Sequence, residues 1–173
     1  MPVNTGQMQS SHFPGIKIRA IMPHEYSHLA EFLYEAVFIP EGKARPGREI
    51  LNISEIARYI SDFGRENDHC LVAESADGLL GAVWTRIFTQ SERGFGYVDE
   101  RTPELSMSVL PGYRNRGIGT SLLGEMIGKL RQLGNDQVSL SVDLDNFAYR
   151  LYQKFGFTVM GVSDGSATMV KIL

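Results

Sequence analysis

The chain of 173 residues has one cysteine, Cys70, which excludes an internal disulfide and any cysteine-rich zinc site. It has no apolar run near the ~18 residues of a membrane span. Its opening stretch, MPVNTGQMQSSHFPG, lacks both a basic segment and an apolar core, which argues against a signal peptide. Surplus positive charge is also missing, since 17 Lys and Arg against 20 Asp and Glu give a net charge of −3. That balance argues against a dedicated nucleic-acid or anionic-membrane binder, while leaving room for a local basic pocket. No repeat, linker or low-complexity block interrupts the chain. Its 43% apolar and 21% charged residues match ordinary globular domains, and this length buries roughly 70% of its unfolded surface without a metal staple. The expectation is a cytoplasmic protein with a loosely ordered tail over residues 1–15 and a single domain over 16–173.

Two phosphate-binding patterns are absent as well. There is no G-x-x-x-x-G-K-[ST], which excludes a P-loop nucleotidase. The segment GFGYVD begins like a dinucleotide fingerprint but carries Asp99 where the third glycine belongs, and it opens no helix.

Hydrophobic periodicity orders what is present. Ile16, Ile18 and Ala20 alternate as a short strand. Pro23 suits a first helical turn, and Leu29, Phe32, Leu33, Ala36 and Val37 follow at helical spacing. A second amphipathic stretch through Ile53, Ile56, Ala57 and Ile60 is expected to stop at Gly64. CLVAES and LLGAVWTRIF flank Ala76-Asp77-Gly78 as a hairpin, and ELSMSVLP is a third strand of this group. A helix from Gly117 to Gly134 places Ile118, Leu122, Met126, Ile127, Leu130 and Leu133 on one face. VSLSV, a short helix capped by Asn146, and a terminal hairpin complete the chain. The order β-α-α-β-β-β-α-β-α-β-β implies an α/β (α+β) domain with a mixed central sheet and helices on both faces.

The passage SVLPGYRNRGIGTSLL carries the chemistry. Pro111 ends the strand and Gly112 turns the chain, while Gly117 and Gly119 leave backbone N–H groups uncovered at a helix start. Such a terminus presents unpaired donors and partial positive charge to a phosphate. Arg114 and Arg116 add cations there, so a pyrophosphate is the natural guest.

RNRGIG resembles the R/Q-x-x-G-x-G/A signature of the GNAT superfamily of acetyl-CoA-dependent N-acetyltransferases. VSLSVDLDNFAYRLYQKFGF resembles the second half of the same family, and the strand order agrees from about Ile16 to Leu173. The resemblance implies that backbone groups of Val109 and Leu110 pair with the pantetheine arm of acetyl-CoA like an added strand. It implies that the N–H groups of Arg114, Asn115, Arg116, Gly117, Ile118, Gly119 and Thr120 hold the pyrophosphate. Asn146 is assigned to the pantetheine or to its helix cap, and the two roles are compatible. Tyr152 corresponds to the general acid that protonates the departing thiolate, with a packed structural tyrosine as the alternative and Tyr149 as the nearest substitute. Glu104 corresponds to a general base found in some members, with an edge-of-strand surface carboxylate as its alternative and Asp99 or Glu100 as substitutes. Cys70 is read as a buried apolar residue, since direct attack by an amine requires no covalent enzyme intermediate.

The implied acceptor is a primary amine on a small molecule or peptide, shaped by the loops 40–49 and 89–103. The family often dimerises, so a homodimer is one expectation, although no apolar stripe specifies it. The same fold also serves as a non-catalytic acyl-CoA-binding module. A rival motif, His24-Glu25-Tyr26-Ser27-His28, has the H-E-x-x-H form of zinc hydrolases. It lacks a third ligand and sits in a first helical turn, so no metal is expected.

Overall fold

The computed structural model describes residues 15–173. The expected tail therefore lies, apart from Gly15, outside the described residues. Seven strands form one sheet: β1 (Lys17–Ala20), β2 (His69–Ser75), β3 (Gly78–Arg86), β4 (Glu104–Val109), β5 (Gln137–Asp143), β6 (Thr158–Ser163) and β7 (Ser166–Ile172). Their order across the sheet is β1-β2-β3-β4-β5-β7-β6. Every neighbouring pair is antiparallel except β4 and β5, which run parallel and share one register pair, Glu104 opposite Ser139. Four helices join the strands: α1 (Leu29–Ala36), α2 (Ser54–Ala57), α3 (Ile118–Gln132) and α4 (Ala148–Lys154). The element order is the one expected from periodicity.

Strand alternation divides the core between the two faces. In β2, Leu71 and Ala73 point to the layer that holds α3 and α4, while Cys70 and Val72 point to the layer that holds α1. Leu29, Phe32 and Leu33 of α1 are buried against Ala82 and Trp84 of β3. On the opposite face Ile118, Leu122, Leu123, Met126, Ile127 and Leu130 of α3 are buried, each worth about 1.5–3 kcal/mol. Leu133, expected on that stripe, follows the last helical residue and is exposed. Among the described residues no helix is long and apolar enough to cross a membrane.

The helix expected from Ile53 to Gly64 is much shorter. A 3-10 turn over Arg48–Asn52 leads into the four-residue α2, and the chain then tightens, with Tyr59 N–H bonding Ile56 C=O and Ile60 N–H bonding Ala57 C=O. Its carbonyls are claimed by β3 instead of by a helical ladder. Arg86 Nη1 donates to the carbonyls of Arg58 and Ser61, both at 2.7 Å, and Trp84 Nε1 donates to that of Tyr59 at 3.2 Å. Arg86 is in turn bidentate with Asp68 at 3.0 and 2.6 Å, deep in the protein. Periodicity along residues 53–64 cannot report that distant side chains take the acceptors.

Pro23 opens a 3-10 turn over Pro23–His28 rather than the first turn of α1. With three residues per turn, His24 and His28 lie about 120° apart and do not share a face. Glu25 accepts Arg19 Nη2 at 2.7 Å and Met22 N–H at 2.9 Å. These bonds hold its carboxyl down to about 2, against the opposing pull of burial. Glu25 of this motif is thus committed to Arg19 and the Met22 backbone.

Candidate active site

Parallel strands with a single register pair must diverge, and β4 and β5 open immediately beyond Glu104 and Ser139. The gap is the narrow end of a cleft of about 600 Å³. Ser106 and Met107 of β4, Ser141 and Asp143 of β5, Asn146 and Tyr152 line one side, while Val37, Phe38, Ile56, Tyr59 and Phe95 line the other.

Glu104 sits where the strands part. Its side chain faces the α1 layer, and the residue is 3% exposed, which removes the surface alternative. Tyr59 donates its hydroxyl to Oε1 at 2.5 Å, and Gly96 donates its N–H to the same oxygen at 2.9 Å. Oε2 is buried with no hydrogen-bond partner. Burial drives the carboxyl up to about 7, against the opposing pull of the Tyr59 and Gly96 bonds. Such a group changes protonation near neutral pH, where a general base works best.

Tyr152 projects from α4 into the same cleft, its ring edge-on to Phe157 at 5.6 Å. It is buried, which pushes its phenol well above the ordinary range and keeps it protonated at neutral pH. Its hydroxyl makes no hydrogen bond among the described residues, while its ring packs in the core shared with α3. Tyr149, the substitute, is half-buried against the core outside the cleft lining.

The open edge of β4 can be read from its ladder. Leu110 N–H donates to Leu80 C=O at 2.8 Å across β3. Alternation in an antiparallel pair then turns the peptide groups of Met107 and Val109 the other way, into the gap left by β5. Val109 turns its N–H to that edge while its C=O accepts Arg114 Nε, and Leu110 turns the other way. Leu110 spends its N–H on Leu80, and its C=O accepts Tyr113 N–H at 2.9 Å. Met107 faces the gap instead, because ladder parity, invisible in the motif, decides which peptide groups point outward.

Beyond β4 the chain makes a 3-10 turn over Pro111–Tyr113 and reaches α3 through two left-handed residues, Asn115 (φ 59°) and Gly117 (φ 82°). The first intrahelical bond runs from Ser121 N–H to Gly117 C=O, so Ile118, Gly119 and Thr120 have N–H groups without helical acceptors. A Cβ on Gly119 would lie 3.6 Å from Met107 Cε, which places this terminus beside the open β4 edge. Arg116 lies over the Tyr113 ring at 5.5 Å. Arg114 is more committed than its sequence position implies. Its Nε donates to Val109 C=O at 2.8 Å, and its Nη2 pairs with Glu35 at 2.9 Å.

Asn146 accepts the Ala148 N–H on Oδ1 at 2.9 Å, capping α4, and its side chain also borders the cleft. The substitutes for Glu104 have other work: Asp99 ties down Arg101 and Thr102, and Glu100 accepts Gln90 N–H. Cys70 is buried, its thiol is pushed up by burial, and it lies outside the cleft lining. Sequence reasoning missed Tyr59, since nothing local to residues 53–64 indicates that its hydroxyl reaches β4. The GFG run at 94–96 was a usable signal of close approach. A Cβ on Gly96 would meet the Leu140 backbone at 2.5 Å, so this loop reaches Glu104 only with glycine there.

Among solved structures, a GNAT-family acetyltransferase from Streptococcus pneumoniae superposes with a TM-score of 0.67 at 22% identity, covering 91% of this chain and 99% of that one. The PaiA N-acetyltransferase from Thermoplasma acidophilum, solved in complex with coenzyme A, gives 0.63 at 21% identity over 91% and 99%. The mycothiol acetyltransferase of Thermobispora bispora is 39% identical over 88 residues, or 50% of this chain and 29% of that protein. The mycothiol acetyltransferase of Propionibacterium freudenreichii subsp. shermanii is 24% identical over 170 residues, 96% of this chain and 51% of that protein. The chain thus spans about half, or less, of the length of these curated relatives. Residues 30–157, which run from α1 to the end of the α4 region and include Glu104, the turn before α3 and Tyr152, match the acetyltransferase (GNAT) family, and the chain belongs to that family.

Proposed function

We propose that residues 16–173 form an acetyl-CoA-dependent N-acetyltransferase domain that acts on a primary amine by direct transfer. One observation carries this reading: Glu104 and Tyr152, both protonatable near or above neutral pH, line one cleft whose open strand edge runs to a helix terminus with free donors. The chain fits the cofactor it implies. The peptide groups of Met107 and Val109 can pair with a pantetheine amide, and the turn at Asn115–Thr120 offers a concave set of N–H groups to a pyrophosphate. Coenzyme A in the Thermoplasma structure and the acetyltransferase names of the relatives support that assignment.

Bound acetyl-CoA supplies a thioester activated toward amines. Glu104 takes the proton that the amine releases as its nitrogen bonds to the acetyl carbon. Tyr152 gives its hydroxyl proton to the sulfur as the carbon–sulfur bond breaks. Among the described residues, the charged ones lining the cleft are Glu104, Asp143 and Asp164, with no Lys, Arg or His. That sign favours an acceptor cationic at its reacting end and free of carboxylate or phosphate nearby.

The test is calorimetric titration with acetyl-CoA followed by thiol release with a panel of amines. Micromolar binding with turnover that falls at least a hundredfold in Tyr152→Phe, at unchanged acetyl-CoA affinity, supports the reading. Binding with background turnover across the panel would instead mark an acyl-CoA-binding module.

A further inference from the structure

The strongest feature that the proposed chemistry leaves unused is the environment of Glu104 Oε1. Three separate segments converge on that atom: β4 supplies the carboxylate, Tyr59 comes from the tightened stretch after α2, and Gly96 comes from the loop before β4. Tyr59 is itself fixed at several points. Its carbonyl accepts Trp84 Nε1, the neighbouring carbonyls of Arg58 and Ser61 accept Arg86, and its hydroxyl accepts Phe95 N–H at 2.7 Å. Its ring meets Phe88 edge-on at 5.0 Å and stacks on Phe95 at 6.2 Å.

A carboxylate has two oxygens that ordinarily exchange roles by rotation. Here Oε1 accepts two donors in fixed directions, while Oε2 is buried without a partner. We infer that Tyr59 is a positioning residue for Glu104: with Gly96 N–H it fixes Oε1, so that Oε2 is the oxygen that exchanges the proton. This inference rests on the reading of Glu104 as the base.

The donor role of Tyr59 persists over the working range, because burial and the nearby carboxylate push its phenol well above its usual value. Other charges are kept from competing. Arg86, opposite Glu104 in the β3 register, is committed to Asp68, and Arg58 acts on Tyr59 from the exposed side, donating to Arg93 C=O. A hydrogen bond from Tyr59 favours the ionised form of Glu104, so its loss must raise the pH at which Glu104 titrates.

The experiment is 13C NMR titration of the Glu104 carboxyl, with the resonance assigned by its disappearance in Glu104→Gln. Tyr59→Phe keeps the ring and its stacking, and its midpoint is expected about one pH unit above that of the parent protein. Site-specific 3-fluorotyrosine at position 59, a more acidic phenol of nearly the same size, is expected to lower the midpoint without disturbing the fold. The acid limb of the turnover profile should move with both. Midpoints that stay put in both variants overturn the inference, and if Glu104→Gln is inactive the base assignment survives that result. Shifted midpoints with full activity in Glu104→Gln would leave the clamp in place and remove the base.

Discussion

A Cβ built on Gly94 would stand 2.1 Å from Oε2 of Glu104, and the same Cβ would lie 2.7 Å from Phe88. No side chain fits at position 94 while the carboxylate keeps its place, because this glycine packs directly against the buried oxygen that has no partner among the described residues. Gly94→Ala must move either the loop or Glu104. Overpacking of this kind costs about 1–3 kcal/mol, and here the displacement falls on the proposed base. Turnover should drop at least tenfold while calorimetric affinity for acetyl-CoA stays within twofold. Equal losses in both would mean that the loop supports the cofactor instead.

The elevated titration of Glu104 makes two linked forecasts. Its carboxyl must be ionised to accept a proton, so turnover should rise with pH, reach half its plateau near 7, and fall about tenfold per unit below that. Stability should move the other way. From an ordinary 4.5 to about 7 in the fold, the native state holds a proton that the unfolded chain has released, so stability falls as pH rises across that window. Above pH 7 both states are ionised and the full burial penalty, about 3 kcal/mol, remains. Glu104→Gln should therefore be inactive yet raise Tm at pH 8, with little change at pH 4.5. Calorimetric melts of both proteins at the two pH values decide it, and equal Tm changes would contradict the buried charge.

The contrast between these residues shows what the sequence could disclose. The turn before α3 was legible because its determinants are contiguous: a strand, Pro111, two arginines and Gly117. The strand order was legible because alternation and helical spacing are also local. Glu104 was legible only as a candidate, since its burial depends on Tyr59 and Gly96 folding over it from elsewhere. The direction of the Leu110 peptide groups was hidden for a related reason, as the β3 ladder decides which of them face the gap. The short α2 follows the same logic, with Arg86 and Trp84 removing acceptors that a helix would have used.

That removal makes the Arg86–Asp68 pair more than a stabilising contact. Both side chains are 2% exposed, so Asp68→Asn leaves a buried guanidinium without its counter-charge. Breaking such a pair from one side costs about 3–5 kcal/mol. Arg86 also anchors the segment that carries Tyr59, so loss should appear at the site as well. Urea denaturation should show the destabilisation, and the acid limb of turnover should shift upward in whatever protein remains folded. A change below 1 kcal/mol would show that water replaces the missing carboxylate.

The turn before α3 offers a test in which backbone strain is held constant. Gly117 has φ 82°, a conformation that asparagine and aspartate tolerate better than other side chains. Gly117→Asn and Gly117→Asp therefore add nearly equal bulk and differ mainly in charge. If the N–H groups of Ile118, Gly119 and Thr120 hold a pyrophosphate, the aspartate should weaken acetyl-CoA binding at least tenfold more than the asparagine. The difference should shrink in high salt, as screening dictates. Equal affinities for the two variants would place the phosphates elsewhere.

The sign of the cleft gives a forecast about the acceptor. Glu104, Asp143 and Asp164 border the cleft without a basic side chain to balance them. A carboxylate beside the reacting amine would enter this field with no partner, and like charges at close range cost several kcal/mol. Matched pairs isolate the effect: cadaverine against lysine, and phenethylamine against phenylalanine, have the same carbon skeletons with and without the carboxylate. With acetyl-CoA saturating, kcat/KM should favour the decarboxylated partner at least tenfold in any pair that turns over. The preference should weaken in Asp143→Asn and Asp164→Asn, because each removes one of the opposing charges. A preference for the amino acids would mean that the acceptor approaches by a route these carboxylates do not border.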